Sequence, residues 1–221
     1  MNPTETTSSH SVNNFVLIVV LVALAVFLVR AFLGYRNYRY SIFKQLYNDY
    51  LIDYFYHLNV FRDVSRSGKL KKEIGVHRIV YSNMSNQEGH VVTQFVNVIH
   101  SKGITTIAYL NPHGKLSGKD NGNWIIRRNE ENEEKKYKID NPAAHMKEYE
   151  QRIRQLCDNR KIDKLIAVED NSDITNVQCS IRCIPYSQVV NAIKESDCGY
   201  GLNDTEIDEI YEKLGGKIDR K

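Results

Sequence analysis

From Phe15 to Val29 the chain reads FVLIVVLVALAVFLV without one polar side chain, and after Arg30 the run resumes through Ala31, Phe32 and Leu33. Phe15 to Leu33 spans 19 residues. At about 1.5 Å of rise per residue that is roughly 28 Å of helix, close to the hydrocarbon thickness of a bilayer. No face of such a helix suits water, so the spacing predicts one transmembrane helix over 15–33. Arg30 sits near its end, where the stem can lie along lipid while the guanidinium reaches the headgroups.

The flanks set an orientation. Residues 1–14 carry no Lys or Arg and one acid, Glu5, whereas Arg30, Arg36, Arg39 and Lys44 follow the span. The positive-inside bias makes 1–14 a short extracytoplasmic tail of a single-pass cell-membrane protein whose C-terminal domain is cytoplasmic. Those four cations are candidates for contact with lipid headgroups. The rival reading is a cleaved signal peptide, with Val29-Arg30-Ala31 near a cleavage site. It fits less well, because the charged region that should precede the apolar run is missing.

Past the span the chain has the makings of one globular domain: 42% of its 221 residues are hydrophobic and 26% charged. A mean hydropathy of −0.46 excludes a polytopic membrane protein. Cys157, Cys179, Cys183 and Cys198 form no C-x-x-C pairs, which argues against a zinc ribbon. In a cytoplasmic domain they are expected as reduced, buried thiols. Charge is uneven: residues 35–128 hold 14 Lys/Arg against 6 Asp/Glu, residues 129–221 hold 15 against 20. The basic half could face an anion, with Lys69, Lys71, Lys72 and Arg78 the candidates for nucleic acid.

Periodicity gives the element order. Phe43, Tyr47, Tyr50, Leu51, Tyr54 and Leu58 form a helical stripe within 36–58. A polar link over 65–72 precedes two β-rich runs, 75–81 and 91–100, and after the turn Ser101-Lys102-Gly103 a returning strand over 104–110. Another short strand, 124–128, leads into a charged run, 130–136, read as a solvated loop. Asn141-Pro142 opens a helix, Asn as N-cap and Pro at the first position. Strands over 164–168 and 180–184, a short helix over 187–195 and a last helix over 204–214 complete the chain. The fold class is α/β, a mixed sheet flanked by helices.

The hairpin from Thr93-Gln94 through Ser101-Lys102-Gly103-Ile104 to Asn111, Gly118 followed by Trp124, and Asn141-Pro142 recur in a known order. With the closing strand 164–168 and helix 189–193, they resemble the nuclease-related domain family, NERD, over about residues 47–195. The resemblance implies a restriction-endonuclease-like fold in a domain over 36–198, and the last helix lies past it, in 199–221. It implies two carboxylates holding Mg²⁺ and a lysine that stabilises charge on the phosphate. By the hairpin match those three positions hold Val96, Ala108 and Leu110. His145 and Tyr149 likewise stand where the family has Gln and His.

The absence does not depend on register, since no Asp or Glu occurs between Glu88 and Asp120. Asn97, His100, Asn111 and His113 are poor Mg²⁺ ligands without a carboxylate. No G-x-S-x-G, Walker A, G-x-G-x-x-G or H-E-x-x-H pattern occurs. Asp204 and Asp208 fit a solvated helix face better than a metal cluster. The expectation is a pseudoenzyme without cofactor, a membrane-anchored binding or scaffolding module with a protein partner. The alternative is a metal-dependent nuclease or nucleic-acid binder with relocated acids such as Asp120 or Asp140.

Overall fold

A computed structural model describes residues 6–47, 64–131 and 133–217, the side chains of 6–14 and of Asn37 excepted. It divides into two compact units, Met1–Arg39 and Tyr40–Lys221. The first is one helix, α1 (Thr6–Arg39). Its stretch Phe15–Arg36 has a hydropathy of 3.1 and is nowhere buried by protein, and it is long and apolar enough to cross a membrane.

The second unit starts with α2 (Ile42–Leu46), which a break at Tyr40-Ser41 separates from α1. The tyrosine stripe is therefore not one continuous helix from the span, and its part from Tyr50 onward lies outside the described residues. The expected polar link contains a helix, α3 (Gly68–Ile74), whose N-cap Ser67 accepts from the Leu70 amide at 3.2 Å. Only Leu70 among its residues is fully buried, too little apolar periodicity to read from sequence.

The hairpin follows as β1 (His77–Ser85), β2 (Val91–His100) and β3 (Gly103–Leu110). Then come β4 (Lys115–Lys119), β5 (Trp124–Glu130), β6 (Glu133–Ile139) and α4 (Pro142–Leu156). The chain closes with β7 (Asp163–Val168), β8 (Asp173–Gln178), β9 (Arg182–Pro185), α5 (Val189–Glu195) and α6 (Asp204–Lys213). Two mixed sheets result, one of order β1-β2-β3-β7-β9 and one of order β6-β5-β4-β8. In the larger, β1, β2 and β3 are antiparallel neighbours, and β7 and β9 run parallel to β3.

Sequence reading found β5 but placed β6 in a loop and missed β4 and β8. Five of the seven β6 residues are charged, yet its backbone pairs with β5 from Trp124↔Ile139 to Glu130↔Glu133. An edge strand needs one partner and no buried face, so it can be this polar. β3 and β7 leave the larger sheet side by side and continue as β4 and β8, parallel neighbours in the smaller one. The Glu169 amide bonds the Leu110 carbonyl at 3.2 Å and the Asp173 amide the Gly114 carbonyl at 3.0 Å across that corner.

Each face of the larger sheet is packed. On one, Phe95, Ile99, Ala108 and Ile166 meet Met146, Tyr149 and Ile153 of α4 and Ile207 and Ile210 of α6. On the other, Val96, Val98 and Ile107 belong with Ile42, Leu46 and Ile193. The last helix is thus part of the domain core. Asn141 fixes the start of α4 from both sides. Its oxygen accepts from the Ala143 and Ala144 amides, and its amide donates to the carbonyls of Lys119, Asp120 and Gly122.

Candidate functional site

Side chains alternate along a strand, so the register decides which positions can share a cleft. Val96 stands opposite Ile107, whereas Ala108 stands opposite Phe95. Val96 therefore faces α2 and α5, while Ala108 and Leu110 face α4. The three positions named by the resemblance do not form one site. To join Ala108 and Leu110, a β2 residue would have to be at 93, 95, 97 or 99, which are Thr, Phe, Asn and Ile.

That face is sealed. Phe95 and Ala108 have no exposed surface, and the Phe95 ring stacks on Tyr149 of α4 at 4.1 Å between centroids. Asn97, also fully buried, is the polar side chain of β2 at the middle of this side. It donates to the Tyr149 hydroxyl at 2.8 Å and to the Val80 carbonyl at 3.4 Å, and accepts from the Thr106 hydroxyl at 2.9 Å. Its hydrogen-bonding capacity is spent inside the core, which leaves little for a ligand. At the rim, Lys164 of β7 pairs with Glu150 of α4 at 2.5 Å, and Thr93 meets His145 at 2.6 Å. Both positions read as displaced family residues, His145 and Tyr149, are structural ties here.

Sequence reasoning missed the buried carboxylate of Glu169, at the carboxyl end of β7 where β3 and β7 turn the corner. Its side chain is 3% exposed and lies 2.5 Å from Nδ1 of His113. Burial raises its pKa, opposed mainly by that imidazole. His113 has φ 48°, a left-handed backbone rare for a residue with a Cβ. Beside them the Tyr186 hydroxyl donates to Asn111 at 2.6 Å or to the Leu110 carbonyl at 2.8 Å. Arg128 of β5 donates twice to the Pro112 carbonyl. The sequence signal was present, an acid pair directly after a buried strand. Asp170, the neighbouring acid, accepts from the Ser187 amide. The cluster clamps the loops joining the two sheets, and among the described residues no group of three or more His, Cys, Asp or Glu could hold a metal. The relocated acid Asp120 is engaged by the Ser180 amide and hydroxyl, both at 2.9 Å.

The cationic candidates divide. Lys71 and Lys72 are exposed and Lys69 half-buried. Arg78 points inward: it is 5% exposed, bonds Asp208 at 2.6 Å and lies over the Tyr211 ring, which removes it from any nucleic-acid surface. A cavity of about 330 Å³ beside α3 is lined by Arg66, Lys71, His77, Asp204 and Asp208, both signs together. Arg30 and Arg36 are exposed on α1, Arg39 is exposed at its end, and Lys44 is half-buried on α2.

Two buried histidines are held neutral. His77 donates from Nδ1 to the Gly75 carbonyl and accepts at Nε2 from the Ser67 amide. His100 accepts at Nδ1 from the Lys102 amide, bonds Thr105 through Nε2, and Thr105 donates on to Ser196. Burial lowers both, His100 to about 4. All four cysteines are free thiols, and burial raises each of them, Cys183 to about 12. They are poor nucleophiles. Comparison of the chain with protein-family models, with curated proteins and with solved structures finds no match.

Proposed function

We propose that this protein is a membrane-anchored, catalytically inactive nuclease-related module that binds or scaffolds a protein partner at the cytoplasmic face of the cell membrane. The observation that carries the reading is the packed face around Ala108. Phosphodiester hydrolysis by a divalent ion needs oxyanionic ligands and room for water and phosphate, and the position has hydrocarbon and an aromatic stack instead. The antiparallel hairpin, crossover helix and parallel strand support the restriction-endonuclease-like arrangement implied by the resemblance. The apolar run of α1 and the cations after it support the anchor and its orientation.

The test is calorimetric titration of Mg²⁺ and Mn²⁺ into the full chain in nanodiscs of neutral lipid. The expected result is no stoichiometric binding at micromolar ion. Saturable micromolar binding would overturn the inert reading. A reporter fused to the C-terminus tests the topology, and an exported C-terminus would contradict it.

A further inference from the structure

The smaller sheet has one face on the core and one in water. Leu116, Trp124 and Ile126 point inward and are buried. The alternate residues Lys115, Lys119, Arg127, Lys136 and Lys138 are exposed. The register lines three of them up across adjacent strands: Lys115 of β4 faces Arg127 of β5, and Arg127 faces Lys136 of β6. Directly opposed side chains on neighbouring strands start about 5 Å apart, and like charges there repel.

Two acids among the described residues, Glu134 and Asp173, stand near this row without an ion pair to it. Among the described residues none of the three cations forms an ion pair, although Lys135, on the opposite face of β6, pairs with Glu130. Glu134 shares the outer face, and Asp173 of β8 faces Lys115 while its carboxylate accepts from Thr175. A depression of about 320 Å³ lies along the row, lined by Lys115, Ser117, Arg127, Glu134 and Asn176.

We propose that this face docks on anionic phospholipid headgroups, the lipid phosphates taking up the Lys115–Arg127–Lys136 row. The inference rests on the membrane-anchored reading, and magnitude selects the occupant. A cation at an anionic leaflet is worth roughly fivefold in partition, so three are worth on the order of a hundredfold. That is weak capture for a dissolved polymer. It suffices for a domain already held at the bilayer by its own span, because the second contact is then intramolecular. Among the described residues the face carries no exposed aromatic on which bases could stack, only Ile125 of apolar kind.

Trp124, the sole tryptophan, lies beneath this face and reports its distance to dansyl-labelled headgroups by energy transfer. The full chain is placed in nanodiscs of phosphatidylcholine alone and in nanodiscs with about 30 mol% phosphatidylserine. Transfer is expected to be higher with the anionic lipid and to fall to the neutral value at about 0.5 M salt. It is also expected to fall in the K115Q/R127Q/K136Q variant, with K115R/K136R restoring it. Equal transfer in both lipids overturns the docking. A nucleic-acid mobility shift lost in the same triple variant overturns the lipid assignment. Failure to co-float with neutral liposomes after alkaline washing overturns the anchor reading and this one together; co-flotation without lipid-dependent transfer overturns this one alone.

Discussion

Ala108→Asp puts a carboxylate where the resemblance implies one and asks whether that place is a cleft or a core. Ala108 is fully buried, with Phe95 opposite and Ile166 beside it on β7. Added volume in a packed core costs about 1–3 kcal/mol. A carboxyl without an opposite charge in such surroundings has its pKa raised by roughly 2–5 units from about 3.9, which costs about 3–4 kcal/mol at pH 7, where a group whose folded pKa passes 7 stays protonated. The sum is comparable with the entire stability of a small domain, about 5–15 kcal/mol. Ala108→Asn carries the same volume without the charge and isolates the second contribution. Because the folded pKa is raised, the charge penalty is full above it and vanishes below the unfolded value of about 3.9. Urea unfolding of both variants should show Asp far less stable than Asn at pH 7, the gap closing toward pH 4. Equal stability at pH 7, or stabilisation of the Asp variant by Mg²⁺, would refute the closed core.

Other consequences follow from single sites. His100 has a folded pKa of about 4 against an ordinary 6.5, so stability is full above 6.5 and declines as pH falls toward 4. The loss is about 3 kcal/mol, and His100→Gln should flatten the urea midpoint against pH. His77 acts in the same direction. A Cβ at Gly118 would lie 2.3 Å from the Trp124 ring, so Gly118→Ala should destabilise by about 1–3 kcal/mol and alter tryptophan emission. Asn141→Ala removes a cap and three strand-loop hydrogen bonds, a loss of about 1–2 kcal/mol or more by thermal unfolding. Asn141→Asp keeps the acceptor and should lie between the two.

Elements with their own strong local chemistry were legible in the sequence. Val91–His100 is a strand in the bounds its β-branched run predicts, and the cap at Asn141 begins α4 where expected. What escaped was structure supplied by a partner. β6 is a strand because β5 pairs with its whole length, and β4 and β8 exist because β3 and β7 continue side by side around a corner. The opposite orientations of Val96 and Ala108 follow from period two along a strand, but only a register shows which β2 residue faces Ala108. Glu169 and His113, fifty-six positions apart in sequence, meet only because their strands are neighbours.

The most direct measurement is hydrolysis. The full chain in neutral nanodiscs, incubated with end-labelled duplex DNA, single-stranded DNA and RNA in Mg²⁺ and in Mn²⁺, should leave every substrate at the length seen in buffer. Cleavage that chelation abolishes and Asp120→Asn or Glu169→Gln eliminates would contradict the account.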